Sequence, residues 1–150
     1  MTDPIFRRAT RDDVPTIVAM LADDILGASR ESPDDPVPYL AAFDAIDADP
    51  NQLLAVIKVD GHVAGTLQLT FIAGLSRRGA TRATIEAVRV HRDHRKGGLG
   101  TAMLEWAIEQ ARDRGCTMVQ LTADTARVDA HRFYQHLGFE PSHIGFKMTL

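Results

Sequence analysis

The chain has 150 residues, 45% of them hydrophobic, one cysteine, and 17 Lys plus Arg against 20 Asp plus Glu, a formal charge of −3. That is enough chain for one domain with its own core; one cysteine excludes an intrachain disulfide and fits a reducing, cytoplasmic setting. The acidic balance argues against a nucleic-acid partner, the start Met1-Thr2-Asp3-Pro4-Ile5-Phe6-Arg7 lacks an export signal's basic and apolar run, and the longest uncharged stretch, Gly61 to Ser76, is too short and polar for a membrane span.

Strand and helix signals alternate without a repeat or a linker, which predicts a single mixed α/β domain over 1–150. Ile5 to Arg8 reads as a short strand. Thr10 or Asp12 can cap a helix in which Val14, Ile17, Val18, Leu21 and Ile25 recur at helical spacing, with Pro15 in its first turn and Gly27 at its end. After a polar loop from Ala28 to Pro36, Pro38 opens a second helix through Tyr39, Leu40, Phe43 and Ile46, which Asp49-Pro50 ends.

Leu53 to Val59, the turn pair Asp60-Gly61, and Val63 to Ala73 make a hairpin signal. A loop from Gly74 to Gly79 leads to a third antiparallel strand, Thr81 to Val90. Leu104, Ala107, Ile108 and Ala111 then mark a helix face that Gly115 stops. Met118 to Thr122 is a strand, Asp129 to Leu137 a helix closed by Gly138, and Ile144 to Leu150 a last strand. The expected order is βααβββαβαβ.

Charge is unevenly spread, with 5 positive and 12 negative side chains in residues 1–60 but 7 positive and 2 negative in 76–100. The basic stretch contains Arg95-Lys96-Gly97-Gly98-Leu99-Gly100, a glycine-dense turn between a strand and a helix start. Glycines let a ligand approach the backbone, and the open N–H groups of the first turn, backed by the helix dipole, favour an anion. With Arg95 and Lys96 beside them, a pyrophosphate fits. The run is neither a Walker A loop, because Thr101-Ala102 follows Gly100, nor a Rossmann fingerprint, because Met103 stands where glycine or alanine is needed.

Arg95 to Gly100 resembles the coenzyme A loop of the GNAT superfamily of N-acetyltransferases, Arg or Gln, two residues, Gly, one residue, then Gly or Ala. Ala130-His131-Arg132-Phe133-Tyr134-Gln135-His136-Leu137-Gly138-Phe139 is similar to the second hallmark, Ala-x-x-Phe-Tyr-x-x-Leu-Gly-Phe, at a typical distance from the first. The resemblance covers nearly the whole chain. It implies a mostly antiparallel, twisted central sheet with helices on both faces, and acetyl-CoA as cosubstrate with no metal. The cosubstrate would lie where the strands Thr81 to Val90 and Met118 to Thr122 splay apart. The backbone of Val88, Arg89 and Val90 would hold the pantetheine arm, the Val88 N–H facing the developing oxyanion, and the amides of Lys96, Gly97, Gly98, Leu99, Gly100 and Thr101 the pyrophosphate. Arg127 stands where many relatives have an Asn that contacts the cosubstrate. A homodimer is a further implication.

Acetyl transfer to an amine needs a base for the attacking nitrogen and an acid for the departing thiolate. Glu86 interrupts the apolar strand Ala83-Thr84-Ile85-Glu86-Ala87-Val88, and alternation places it on the face of Thr84 and Val88, partly desolvated, as the candidate base. The alternative is an ion pair with Arg82 or Arg89. Tyr134 is the candidate acid by its place in the resembling segment; otherwise it is a core tyrosine beside Phe133. The histidines His91, His94, His131 and His136 form no metal-ligand spacing, and Cys116 reads as core. Asp23, Asp24, Glu31, Asp34 and Asp35 suggest a cationic amine acceptor, or an ordinary solvated surface. Two other readings stay open: a non-catalytic acetyl-CoA sensor, and a transferase of longer acyl groups.

Overall fold

The structure, a computed structural model, describes residues 3–150; Met1 and Thr2, part of the stretch read for an export signal, lie outside the described residues. Five strands, β1 (Ile5–Arg8), β2 (Gln52–Val59), β3 (His62–Ala73), β4 (Thr81–Val90) and β5 (Met118–Leu121), form one sheet in sequential order. The first three pairings are antiparallel and β4 to β5 is parallel. The helical elements are α1 (Val14–Ala22), α2 (Ile25–Arg30), α3 (Val37–Ala48), the one-turn α4 (Ser76–Gly79), α5 (Leu99–Asp113) and α6 (Val128–His136). This is the mixed α/β, mostly antiparallel architecture that the sequence predicts.

Strand alternation divides the core between two sheet faces. Leu53, Ala55 and Ile57 of β2, Leu67, Leu69 and Phe71 of β3, and Ala83 and Ile85 of β4 pack on Met103, Leu104, Ala107 and Ala111 of α5. On the other face Val56 meets Val14, Ile17 and Val18 of α1 and Phe43 of α3. A turn before α1 is tied by Asp13, whose carboxylate accepts the Thr10 N–H at 2.7 Å and two guanidinium bonds from Arg7. No helix among the described residues is long and apolar enough to cross a membrane.

Two expectations need correction. The first helix does not run on to Gly27: it breaks at Asp23 and restarts at Ile25, where extended Asp24 caps α2 by accepting the Gly27 N–H. Gly27 lies inside α2 and is needed for proximity, since a Cβ there would sit 1.9 Å from the Leu21 carbonyl oxygen. The second correction is at the C-terminus. Residues 144–150 form no strand, and Ile144, Phe146, Met148 and Leu150 are 80, 92, 85 and 112% exposed. The alternating pattern there predicts a strand, but the segment pairs with no strand among the described residues.

Candidate active site

The site begins with an irregularity in β4. Glu86 faces Gln68 and Arg89 faces Thr66, so β4 carries two residues, Ala87 and Val88, where β3 has only Leu67. Ala87 takes φ 52°, the left-handed region that a non-glycine residue enters at a cost, and the strand bulges there. Pairing to β5 ends at Ile85 opposite Leu121, so from Glu86 onward the strands diverge and the β5-side edge of β4 is open. This is the expected splay, with the backbone of Val88, Arg89 and Val90 along it.

The bulge reverses side-chain alternation. Ile85 and Val88 both pack on the α5 face, whereas Glu86 pairs with Gln68 on the opposite face. The expectation that Glu86 shares a face with Val88 and is partly desolvated is therefore corrected: one extra residue intervenes, and Glu86 is exposed. Its surroundings are polar, with Gln68 donating to Gln52, and Gln120 donating to Thr84. The two arginines considered as its partners are engaged elsewhere, Arg82 with Gln120 and Arg89 with Asp24.

In front of the splay lies the glycine turn. Lys96 and Gly98 take φ 83° and 78°, turning the chain so that Leu99 starts α5. The first backbone bond of that helix runs from the Ala102 N–H to the Gly98 carbonyl, leaving the amides of Leu99, Gly100 and Thr101 before it open. Gly100 allows close packing against α6, since a Cβ would lie 3.3 Å from Phe133 Cζ. Arg95 is drawn inward: its Nε donates to the Val90 carbonyl at 3.1 Å, and its Nη2 lies 3.4 Å from Asp23. It braces the loop against the end of α1.

Behind the splay a charge cluster joins three distant segments. Asp24 Oδ2 accepts from Arg127 Nη2 at 2.7 Å and lies 3.3 Å from Arg89 Nε, which is buried and has no hydrogen-bond acceptor. Burial pushes the Asp24 carboxyl up, but the Gly27 amide and the two guanidiniums outweigh it and hold it below its usual range. Burial lowers the Arg89 pKa; Asp24 opposes this, and the charges of Arg127 and Arg30 add to it. Arg127, where many relatives have Asn, thus reaches across to the α1–α2 junction, and with Ala126, Val128, Asp129 and Ala130 it lines an open surface depression.

Tyr134 projects from α6 into the same region, half-buried, its ring 5.3 Å from that of Phe133 and 6.1 Å from that of Phe139. Burial raises its phenol pKa, opposed by the charges of Arg127 and Arg89. The hydroxyl thus stays protonated and able to donate. Of the sequence-predicted residues, the structure brings Tyr134, Arg89 and Arg127 into one electrostatic neighbourhood and leaves Glu86 on the exposed side of the bulge. The sequence suggests for Asp24 only a place in an acidic stretch that draws a cationic amine or faces solvent; its role as the hub of the cluster has no local signal. Burial pushes the Cys116 thiol up, away from nucleophilic use. Among the described residues no group of three or more His, Cys, Asp or Glu is placed to hold a metal ion.

A sheet opened by a bulged strand, with a helix start facing the opening and a half-buried phenol beside it, is the arrangement that the resemblance to acyl-CoA-dependent acetyltransferases implies. The chain belongs to the acetyltransferase (GNAT) family, whose model matches residues 17–139. It is 28% identical over 147 residues to the aminoalkylphosphonate N-acetyltransferase of Salmonella typhimurium, spanning 96% of this chain and 90% of that one. A solved transcriptional regulator of Bacillus halodurans superposes with TM-score 0.94 at 45% identity, over 99% of this chain and all of that one. A Clostridium acetobutylicum protein solved with acetyl-CoA shares the fold at 16% identity, with TM-score 0.74 over 98% of this chain and 96% of that one.

Proposed function

We propose that the protein transfers the acetyl group of acetyl-CoA directly to the primary amine of a small acceptor carrying an oxyanion, such as a phosphonate or carboxylate. The observation that carries the acceptor class is the Asp24 cluster. Arg89 and Arg127 share one carboxylate, the charge of Arg30 adds to the repulsion felt by Arg89, and Arg89 Nε is left without a hydrogen-bond acceptor. That is an excess of positive charge close to Tyr134, which repels a purely cationic amine and attracts an anionic group. The name of the Salmonella relative, whose acceptors carry both an amine and a phosphonate, supports the same reading.

The acidic residues that suggested a cationic acceptor are largely engaged within the protein. Asp23 meets Arg95, Asp24 holds two arginines, and Glu31 accepts from the Tyr39 hydroxyl at 2.9 Å. In our reading the open amides of Leu99, Gly100 and Thr101, with Lys96, Gly97 and Gly98, bind the pyrophosphate. The β4 edge at Val88, Arg89 and Val90 holds the pantetheine arm, and the Val88 N–H faces the oxyanion. Glu86 takes the amine proton through water, as its exposure requires, and Tyr134 protonates the departing thiolate. The cytoplasm, expected from the lone cysteine, is the setting of this reaction.

The test is thiol release from acetyl-CoA with matched short amines, neutral, cationic and oxyanion-bearing. An aminoalkylphosphonate or amino acid favoured at least tenfold in kcat/KM, with Arg89→Ala removing that preference, supports the reading; a favoured polyamine overturns the acceptor class. A second reading, an acetyl-CoA sensor without turnover, is supported by the regulator name of the Bacillus halodurans structure. A rise in Tm with acetyl-CoA and no thiol release with any amine would favour it.

A further inference from the structure

The geometry points to β4 as a ruler for the acceptor: the chain acetylates amines whose nitrogen stands about one to three carbons from the oxyanion and discriminates against longer ones. The inference rests on the oxyanion-bearing acceptor proposed above. Arg89 and Glu86 are three positions apart, and in an unbroken strand they would face opposite sides of the sheet. The bulge removes that offset. Arg89 faces Thr66 and Glu86 faces Gln68, and Thr66 and Gln68 are alternate residues of β3, so the two side chains share one face. It is the face of α1, since Thr66 stands opposite Val56 of the α1-side core and Arg89 meets Asp24 at the end of α1.

The step from Thr66 to Gln68 along β3 is about 6.6 Å, of which a hydrogen bond from a guanidinium to an oxyanion takes up about 3 Å. Ala87 and Val88, at the open edge where the proposed reaction places the thioester, lie between the two side chains. An oxyanion held at Arg89 by a short spacer therefore sets the amine over the bulge, close to the thioester and to the water that leads to Glu86. A longer spacer carries the nitrogen past Glu86.

The surface past Glu86 is not an apolar groove. Gln68, Thr70, Thr84 and Gln120 continue the same face, half-buried, and Gln52 joins them from β2. They are tied to one another: Gln68 and Thr70 donate to Gln52 Oε1 at 2.9 and 3.1 Å, while Gln120 donates to Thr84 at 3.1 Å and accepts from Arg82 at 3.3 Å. An alkyl chain laid on this floor would displace water from polar side chains and offer them no hydrogen bond, which opposes binding. Distance and floor thus act in the same direction. Gln68 and Gln120, on the strands either side of β4, are the specificity-determining residues.

The experiment measures kcat/KM by thiol release from acetyl-CoA along ω-aminoalkylphosphonates with one to six carbons between nitrogen and phosphorus, beside neutral alkylamines of the same lengths. Activity should be greatest within the first three phosphonates and lower by about tenfold or more at the sixth, a fall that the neutral series does not share. Gln68→Leu with Gln120→Leu, checked for folding by circular dichroism, should raise the ratio of six-carbon to two-carbon activity by about threefold or more; should the pair misfold, each single substitution is read in the same way. A phosphonate series that is flat or rises with length overturns the ruler while the oxyanion preference stands, and so does a folded variant that keeps the parent ratio. Phosphonates no better than neutral amines at every length overturn the acceptor reading and the ruler with it.

Discussion

Glu86 and Val88 stand two residues apart on one strand and point to opposite faces of the sheet, because Ala87 inserts an extra residue opposite Leu67. The same insertion ends pairing with β5 and opens the gap that a thioester could enter. Side-chain direction and backbone opening thus have one origin.

Ala87 therefore tests the bulge. Ala87→Gly, which removes the Cβ from a left-handed backbone, should leave turnover intact and raise stability by up to about 1 kcal/mol. Ala87→Val should cost about 1–2 kcal/mol and weaken acetyl-CoA binding as the strand straightens. Thermal unfolding and titration calorimetry give the two readouts.

Tyr134→Phe removes the proposed acid while keeping the ring contacts with Phe133 and Phe139. Turnover should fall on the order of 10²-fold or more, with acetyl-CoA affinity nearly unchanged. Because burial raises the phenol pKa, the parent enzyme should show no loss of turnover from this group until the pH exceeds its ordinary value of about 10. Pre-steady-state rates across pH check both statements.

The Asp24 carboxyl, held below its usual range, links stability to acid pH. Its contribution is fully present above the unfolded value of about 3.9 and is lost as pH falls through the folded one. Asp24→Asn should lower stability at neutral pH by about 1–3 kcal/mol, leaving two guanidiniums poorly satisfied, and should flatten the Tm profile below about pH 4. Thermal melts across that range measure the difference.

Gly27→Ala would drive a Cβ toward the Leu21 carbonyl oxygen. We expect a loss of about 1–3 kcal/mol or more and a Tm lower by roughly 4–10 °C, measured by calorimetry. Gly115→Ala, where no atom lies within 4 Å of the added Cβ but φ is 76°, should cost about 1 kcal/mol from backbone strain alone.

Much of the fold was legible because it depends on local chemistry. The Asp60-Gly61 turn between alternating strands, the α5 face of Leu104, Ala107 and Ala111, and the glycine turn at Gly97, Gly98 and Gly100 each carry their signal in a few adjacent residues. Glu86 misled because alternation assumes an unbroken pleat, and nothing local in Ala87 announces a bulge. Helical periodicity linked Leu21 to Ile25, but Asp24 was free to cap a new helix. Its cost is offset by Gly27, Arg89 and Arg127, the last more than a hundred positions away.

By itself, the sequence determined the family architecture, the glycine turn that starts α5 and the place of Tyr134 on the last helix, since these rest on periodicity, glycine placement and residue spacing along the chain. Only the tertiary structure decided which way Glu86 points, that Arg89 and Arg127 converge on Asp24, and that the last eight residues lie unpaired. Each of those depends on strand register or on contacts between remote segments, and register and long-range electrostatics exist only once the chain has closed upon itself.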